Sequence, residues 1–437
     1  MKIFSVLILT LLAPSTAIAA ELNAADTAWM LVASSLVLLM TPAGLALFYG
    51  GMTQRKSVLN TVGMSYTACC VATLAWFAYG YTIAFGGGGR WFGGFDFLFL
   101  RGIAIDELRG GIPTLLFVAF QGTFAAITVA IISGSIIERV RYSTWLLFTL
   151  IWVGVCYAPI AHWVWGGGLL SGRGELDFAG GTVVHLNAGA AGLTLALMLG
   201  KRKAQPEQYA PSSVKMTMLG SALLWFGWFG FNAGSELAAD FIAANAWVVT
   251  NVAAAAGGLA WLLVDWVRRV NRSLIGTASG VVAGLVGITP ASGYVTAFDA
   301  MWIGALSGLV GYFAVFYVKK VFNYDDALDA FGLHGAVGIF GALATGFFAN
   351  PLVNPDAVGL LYGNPGQVGV QAFAVGVVLV YSVVATAVTF KITCWLTGGG
   401  RISGEQERRG MDSAYHGEEG YSWDAGSVAK KPQDSEN

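Results

Sequence analysis

Apolar residues in this chain fall in blocks of about 20, the length that crosses the hydrocarbon core of a bilayer, with polar residues gathered between them. Eleven blocks predict helices at approximately Thr27–Gly50, Val58–Phe85, Ile112–Ile137, Ser143–Trp163, Gly181–Gly200, Val214–Ser235, Ile242–Val267, Ser273–Thr289, Thr296–Val318, Phe331–Phe348 and Gln371–Leu396. The eighth is short and rich in glycine. Ahead of them stands MKIFSVLILTLLAPSTAIAAELN. Lys2, an apolar core from Ile3 to Ala13 too short to span, and the small-residue run Ala17-Ile18-Ala19 form a secretory signal peptide, removed after Ala19 or Ala20. Residues 21–397 then read as a membrane domain and residues 398–437 as a polar tail.

Composition supports this. The chain has 437 residues, 56% hydrophobic and 11% charged, with a mean hydropathy of +0.65. Soluble domains carry roughly 25% charged residues, so too few charges remain to coat a globular surface. A net charge of −1 gives no basic character for nucleic acid. Cys69, Cys70, Cys156 and Cys394 lie in apolar runs without disulfide or zinc spacing. The 59 glycines predict close helix packing, because small residues let backbones approach in a membrane.

Charge orients the spans. With the N-terminus outside, the inner loops hold Arg55, Lys56, Arg139, Arg141, Lys201, Arg202, Lys203, Arg268, Arg269, Arg272, Lys319 and Lys320, and the outer loops only Arg90, Arg101, Arg109 and Arg173. The signal peptide gives the same orientation independently. The tail is then cytoplasmic, in a multi-pass protein of the cytoplasmic (inner) membrane with its mature N-terminus periplasmic or extracellular.

Two segments repeat a spacing. LDFAGGTVVHLNAG contains Asp177, His185 and Gly189, and DALDAFGLHGAVG contains Asp326, His334 and Gly338. Both separations, eight and then four residues, recur. The histidines fall on the fifth and tenth spans, and five is odd, so two five-helix halves enter the membrane in opposite directions. The expected fold is an all-α polytopic membrane protein: eleven transmembrane helices in two inverted halves plus a final helix, N-out and C-in. Inverted repeats place the substrate at the midplane between halves.

Intramembrane ionisable residues are costly and mark function by default. His185 and His334 could share one N–H···N hydrogen bond, leaving a donor at one end and an acceptor at the other. That suits a small polar solute or a proton better than a metal ion. Asp177 reads as a helix cap on orphan backbone N–H groups; the alternative is an outer cation site. Asp326 and Asp329 invite the cap reading on the inner side. Phe120, Trp165, Trp228 and Phe231 cluster near outer span ends. Aromatics usually anchor helices at the interface there, but Trp165 stands beside three glycines and twelve residues before Asp177. Its face could attract a cation by about 2 kcal/mol when desolvated.

At these residues the sequence resembles the ammonium transporters, the bacterial Amt members of the Amt/Mep/Rh superfamily. The resemblance lies in ALFYGG (Ala46–Gly51), VAFQGTFA (Val118–Ala125), PIAHWVWGGGLL (Pro159–Leu170), LDFAGGTVVHLNAG, GWFGFNAGS (Gly227–Ser235), GLVGITPASGY (Gly284–Tyr294), FGLHGAVG (Phe331–Gly338) and EQERRGMDSAYHGEEGY (Glu405–Tyr421). It implies a homotrimer with one pore per subunit. Phe120, Trp165 and Ser235 match the ammonium recruitment site, Phe120 and Phe231 the stacked pair at the pore mouth, and His185 and His334 the pore-lining pair. Asp177 matches an aspartate that supports the site from behind. The tail match implies regulation by a PII-type signalling protein.

A bare ion in low dielectric costs tens of kcal/mol by a Born estimate, so the resemblance implies deprotonation at the mouth and passage of neutral ammonia. Two other readings are weighed. His185 and His334 as axial haem ligands lack a C-x-x-C-H motif and room for a macrocycle. The second keeps the fold as an ammonium sensor or an Rh-like neutral-gas channel; no signalling domain is visible after the tail, and Trp165 and Ser235 favour ammonium over the neutral gas. No nucleophile–base arrangement or metal-ligand cluster suggests an enzyme, and no cofactor is expected.

Overall fold

The computed structural model describes residues 21–203 and 210–421. The signal peptide read at Met1–Ala20, Trp423 and the stretch from Ala425 lie outside the described residues. Eleven helical segments follow in order: α1 (Ala24–Met52), α2 (Arg55–Phe85), α3 (Thr114–Ile136), α4 (Tyr142–Trp165), α5 (Gly181–Leu199), α6 (Val214–Ala233), α7 (Phe241–Val267), α8 (Leu274–Ala291), α9 (Ala297–Phe322), α10 (Phe331–Phe348) and α11 (Gly366–Thr397). The only named strands among the described residues are β1 (Leu108–Arg109) and β2 (Ile112–Pro113), one small antiparallel pair.

Helix starts fall where the sequence supplies side-chain acceptors for the orphan N–H groups. Asn23 caps α1, Ser213 caps α6, Asp240 caps α7 and Ser273 caps α8. Thr296 and Asp299 cap α9 reciprocally as a capping box. The short, glycine-rich eighth block is therefore a true helix.

Ten of these segments are long and apolar enough to cross a membrane. The exception is α6, where Lys215, Asn232, two tryptophans and three glycines dilute the apolar character. Those glycines have another use. A Cβ on Gly220 would lie 2.2 Å from Phe48 N, and one on Gly230 would lie 2.6 Å from Ala33 O. The α6 backbone thus packs directly on α1, trading apolar surface for close approach.

The apolar stretch of α3 is 89% buried, against 39% for α7, α9 and α11. Hence α3 runs through the interior, while the other three present Leu263, Phe313, Val384 and Trp395 outward. With 32 residues, α11 extends about 48 Å at 1.5 Å per residue. That exceeds a hydrocarbon core of about 30 Å, so it tilts or projects.

Local geometry follows the repeat in part, since the π-helical turns in α1 (Met40–Leu45) and α2 (Trp76–Gly80) have no counterpart in α6 or α7. A π-helical turn occurs in α4 (Val153–Tyr157) and at the start of α5 (Gly181–Leu186), and again in α9 (Ala314–Val318) and at the start of α10 (Phe331–Ala336). Such turns frequently mark functional sites. The turns that open α5 and α10 carry His185 and His334.

Candidate permeation site

The α5 and α10 segments cross at the recurring glycines. A Cβ on Gly189 would lie 2.2 Å from Gly335 N, and one on Gly338 would lie 2.9 Å from Leu186 N. Each glycine sits four residues after its histidine and lets the other helix's backbone pass. The crossing brings the two imidazoles together. His185 Nδ1 and His334 Nδ1 are 3.2 Å apart, with ring centroids at 5.3 Å. Both rings are buried, and His185 Nε2 has no hydrogen-bond partner among the described residues. One Nδ1 must donate and the other accept. The two Nε2 atoms then differ, one bearing a proton and the other a lone pair.

Aromatic rings continue from this pair. Trp228 stacks on His185 at 5.4 Å and Phe231 at 5.9 Å. The Trp228 indole donates to Thr289 Oγ1 at 2.9 Å, which fixes the ring. Trp228, expected among the mouth aromatics, is instead the stacking partner of His185.

The stacked pair is Phe124–Phe231, not the Phe120–Phe231 pair that the family resemblance implies. Their centroids lie 4.2 Å apart at 31°, and Trp165 stands perpendicular to Phe124 at 5.9 Å. Phe120 lies one turn away, edge-on to Phe124 at 4.9 Å and against Gly234, whose Cβ would meet its ring at 3.0 Å. Residues four apart share one helix face, so FQGTF places both phenylalanines on the same stripe. Spacing alone does not tell which one meets Phe231. Ser235 is half-buried one turn beyond Phe231, and its hydroxyl donates to Phe231 O at 2.8 Å. Its oxygen lone pairs remain available as acceptors.

The Asp177 carboxylate has a different task. Oδ1 accepts from Gly180 N and Gly181 N at 2.8 and 2.6 Å. Oδ2 accepts from Thr182 N, Val183 N and Thr182 Oγ1 at 2.8, 3.2 and 2.6 Å. Four consecutive N–H groups can converge on it because Gly180 takes a φ of +113°, a conformation open to glycine. This is a cap, and the carboxylate also faces the positive end of the helix dipole. The Asp177 carbonyl accepts the Trp165 indole N–H at 2.8 Å, so one residue holds both the histidine helix and the mouth tryptophan.

The inner counterpart is weaker. Among the described residues the Asp326 carboxylate accepts only Phe331 N, on Oδ2 at 2.7 Å, and its Oδ1 is buried without a partner. Asp329 does not cap in the same way; it pairs with Lys319 at 2.6 Å. His162, outside the site, lies with its ring nitrogens 2.9 Å from Ala84 O and 2.7 Å from Gly89 O, pinning the glycine-rich loop after α2.

The tail is docked. Arg401 donates to Leu199 O and Lys201 O at 2.6 and 2.7 Å and pairs with Glu407 at 2.9 Å. Asp412 accepts Leu59 N and Asn60 N at 3.0 and 2.8 Å, capping α2 from a distant part of the chain. Met411 is buried, and Tyr421 lies under Arg55 at 5.5 Å.

The sequence profile of the Ammonium Transporter Family matches residues 28–421. An ammonium transporter of Aquifex aeolicus is 49% identical over 404 residues, covering 92% of this chain and 94% of the relative. Among solved structures, Saccharomyces cerevisiae Mep2 aligns at a TM-score of 0.81 with 35% identity, over 88% of this chain and 89% of Mep2. A sensor Amt protein aligns at 0.83 with 28% identity, over 90% and 98%. The chain belongs to the ammonium transporter family.

Proposed function

We propose that this protein recruits ammonium at an aromatic mouth, strips one proton from it and passes neutral ammonia along the twin-histidine lumen. The observation that carries this reading is the His185–His334 pair, whose Nδ1 atoms lie 3.2 Å apart beneath the Phe124–Phe231 stack. Phe120, Phe124 and Trp165 offer ring faces to the cation, and Ser235 offers a hydroxyl acceptor. Phe124 and Phe231 close the mouth. Past them, a cation would pay tens of kcal/mol of desolvation that one or two ring faces do not offset. Ammonia carries no such charge. It finds a donor and an acceptor on the two imidazoles, which is what a small amine with three N–H groups and one lone pair needs.

Replacing His185 or His334 by alanine is expected to cut methylammonium uptake into proteoliposomes at least several-fold or to alter ion selectivity, with the protein still folded. Wild-type uptake and selectivity in both single variants would remove the pair from conduction.

The same reading includes eleven crossings with α6 as the sixth, residues 1–20 as a signal peptide, the N-terminus outside and residues 398–437 as a cytoplasmic tail. Support comes from the positive charges Arg55 and Lys56 at the start of α2 and those between α3 and α4 and between α5 and α6. A phosphatase fused at the C-terminus is expected to be inactive in the periplasm; activity there would invert the topology. Assembly as a homotrimer, and control by a PII-type signalling protein at the docked tail, are the partners that fit.

A further inference from the structure

Glu175 lies two residues before the Asp177 cap and takes no part in the path described above. It is only 8% exposed, and its backbone is not free to swing it into water. Gln371 Oε1 accepts Leu176 N at 2.9 Å and Gln371 Nε2 donates to Leu176 O at 2.8 Å, while Gln367 Nε2 donates to Gly174 O at 2.8 Å. The loop is thus stitched to α11 on both sides of Glu175.

Counting hydrogens around Thr182 gives an imbalance. Thr182 Oγ1 is 2.8 Å from Glu175 Oε1 and 2.6 Å from Asp177 Oδ2. A hydroxyl has one hydrogen, and two ionised carboxylates would both need it. Asp177 has four backbone N–H donors besides, so it is the group whose negative charge is compensated. Glu175 has none of these, and among the described residues its buried Oε2 has no partner. Nearby charge does not help it. Asp177 is an anion in the same loop. Tyr294, after α8, and Tyr157, in α4, are phenols and bring no positive charge. From α11 come the neutral Gln367 and Gln371. Arg173 places its guanidinium over Phe373 at 4.2 Å, and no ion pair reaches Glu175 among the described residues.

We propose that Glu175 is a positioning residue that carries a proton: its carboxyl donates to Thr182 Oγ1, the Thr182 hydroxyl donates to Asp177, and loss of the Glu175 proton loosens the cap that orients Trp165 and the His185 turn. This deepens the transport reading above and rests on it for its flux readout alone.

Burial, and then the charge of Asp177, push the Glu175 carboxyl up to about 8. The proton is therefore held at neutral pH and lost in mild alkali. Folded Glu175 binds its proton more tightly than the unfolded chain does. Its contribution to stability is thus complete below the ordinary glutamate range of about 4.3 and is lost as pH rises through about 8.

Two measurements test this. Infrared spectroscopy of purified protein in lipid should show a protonated-carboxyl band that titrates away near pH 8, is missing in Glu175→Gln and shifts in Thr182→Val. Methylammonium flux, with each protein normalised to its own value at about pH 6.5, should fall in the wild type relative to Glu175→Gln. One pH unit above the midpoint the ratio should be about one tenth, the protonated fraction remaining there. Glutamine keeps an N–H donor toward Thr182 and cannot ionise. Parallel pH profiles, or a band unchanged by Glu175→Gln, overturn the proposal. If Glu175→Gln does not fold, the titration of the wild-type band and its shift in Thr182→Val decide. Absence of flux at every pH would sink the transport reading and leave the infrared test standing.

Discussion

Asp177→Ala is expected to abolish ammonium transport by removing structure, not by removing a ligand of the ion. The carboxylate accepts five hydrogen bonds, four of them from consecutive backbone N–H groups at the start of α5. Each buried donor left unmade costs roughly 1–3 kcal/mol, and a native domain has only about 5–15 kcal/mol in total. Relaxation will recover some of the loss, yet the turn that carries His185 and the carbonyl that fixes Trp165 both belong to this network. The variant should unfold at clearly lower temperature in detergent and show no methylammonium uptake. Asp177→Asn keeps one acceptor oxygen and should fall between. A variant as heat-stable as the wild type but inactive would instead give Asp177 a direct role toward the cation, the alternative that its spacing left open.

Why the spacing spoke so clearly is now physical. Asp177, His185 and Gly189 each have one structural consequence, namely a cap, a facing ring and a close crossing. Asp326, His334 and Gly338 repeat them at the same intervals. The period of the pattern therefore survived in the sequence. The bounds of the helices were legible for the same reason, since apolar length and capping residues are local.

What depends on a neighbour was not legible. Phe120 and Phe124 are equivalent by spacing, and only the position of α6 selects Phe124 for Phe231. Trp228 became the partner of His185 because Thr289 on α8 holds its indole. Asp329 resembles a cap in the sequence but lies beside Lys319, and the ion pair prevails. The role of Glu175 is not legible in the sequence because its burial depends on Gln367 and Gln371, nearly 200 residues further on. Even so, two acids flanking one residue, close before a cap, could have raised the hydrogen-counting question.

The tail gives the second large effect. An ordinary polar terminus is a solvated end, but this one supplies hydrogen bonds that the membrane domain lacks without it. Asp412 satisfies two N–H groups at the start of α2, and the Ser57 hydroxyl accepts Met411 N at 3.2 Å. Arg141 donates to Arg401 O and Gly398 O at 3.1 and 2.9 Å, and Ile402 N donates to Arg139 O at 3.1 Å. With the Arg401 bonds to Leu199 O and Lys201 O, the start of α2 and the loops after α3 and α5 are tied to one segment. Truncation after Thr397 is expected to strip these contacts, reduce transport several-fold and weaken binding of a PII-type protein. Truncation after Asp424 removes none of them and should leave both unchanged. Asp412→Ala, which removes the α2 cap alone, should reproduce part of the first defect with the chain at full length. If the chain ending at Thr397 transports at the wild-type rate and still binds the regulator, these contacts hold the tail in place without holding the transporter in its active form.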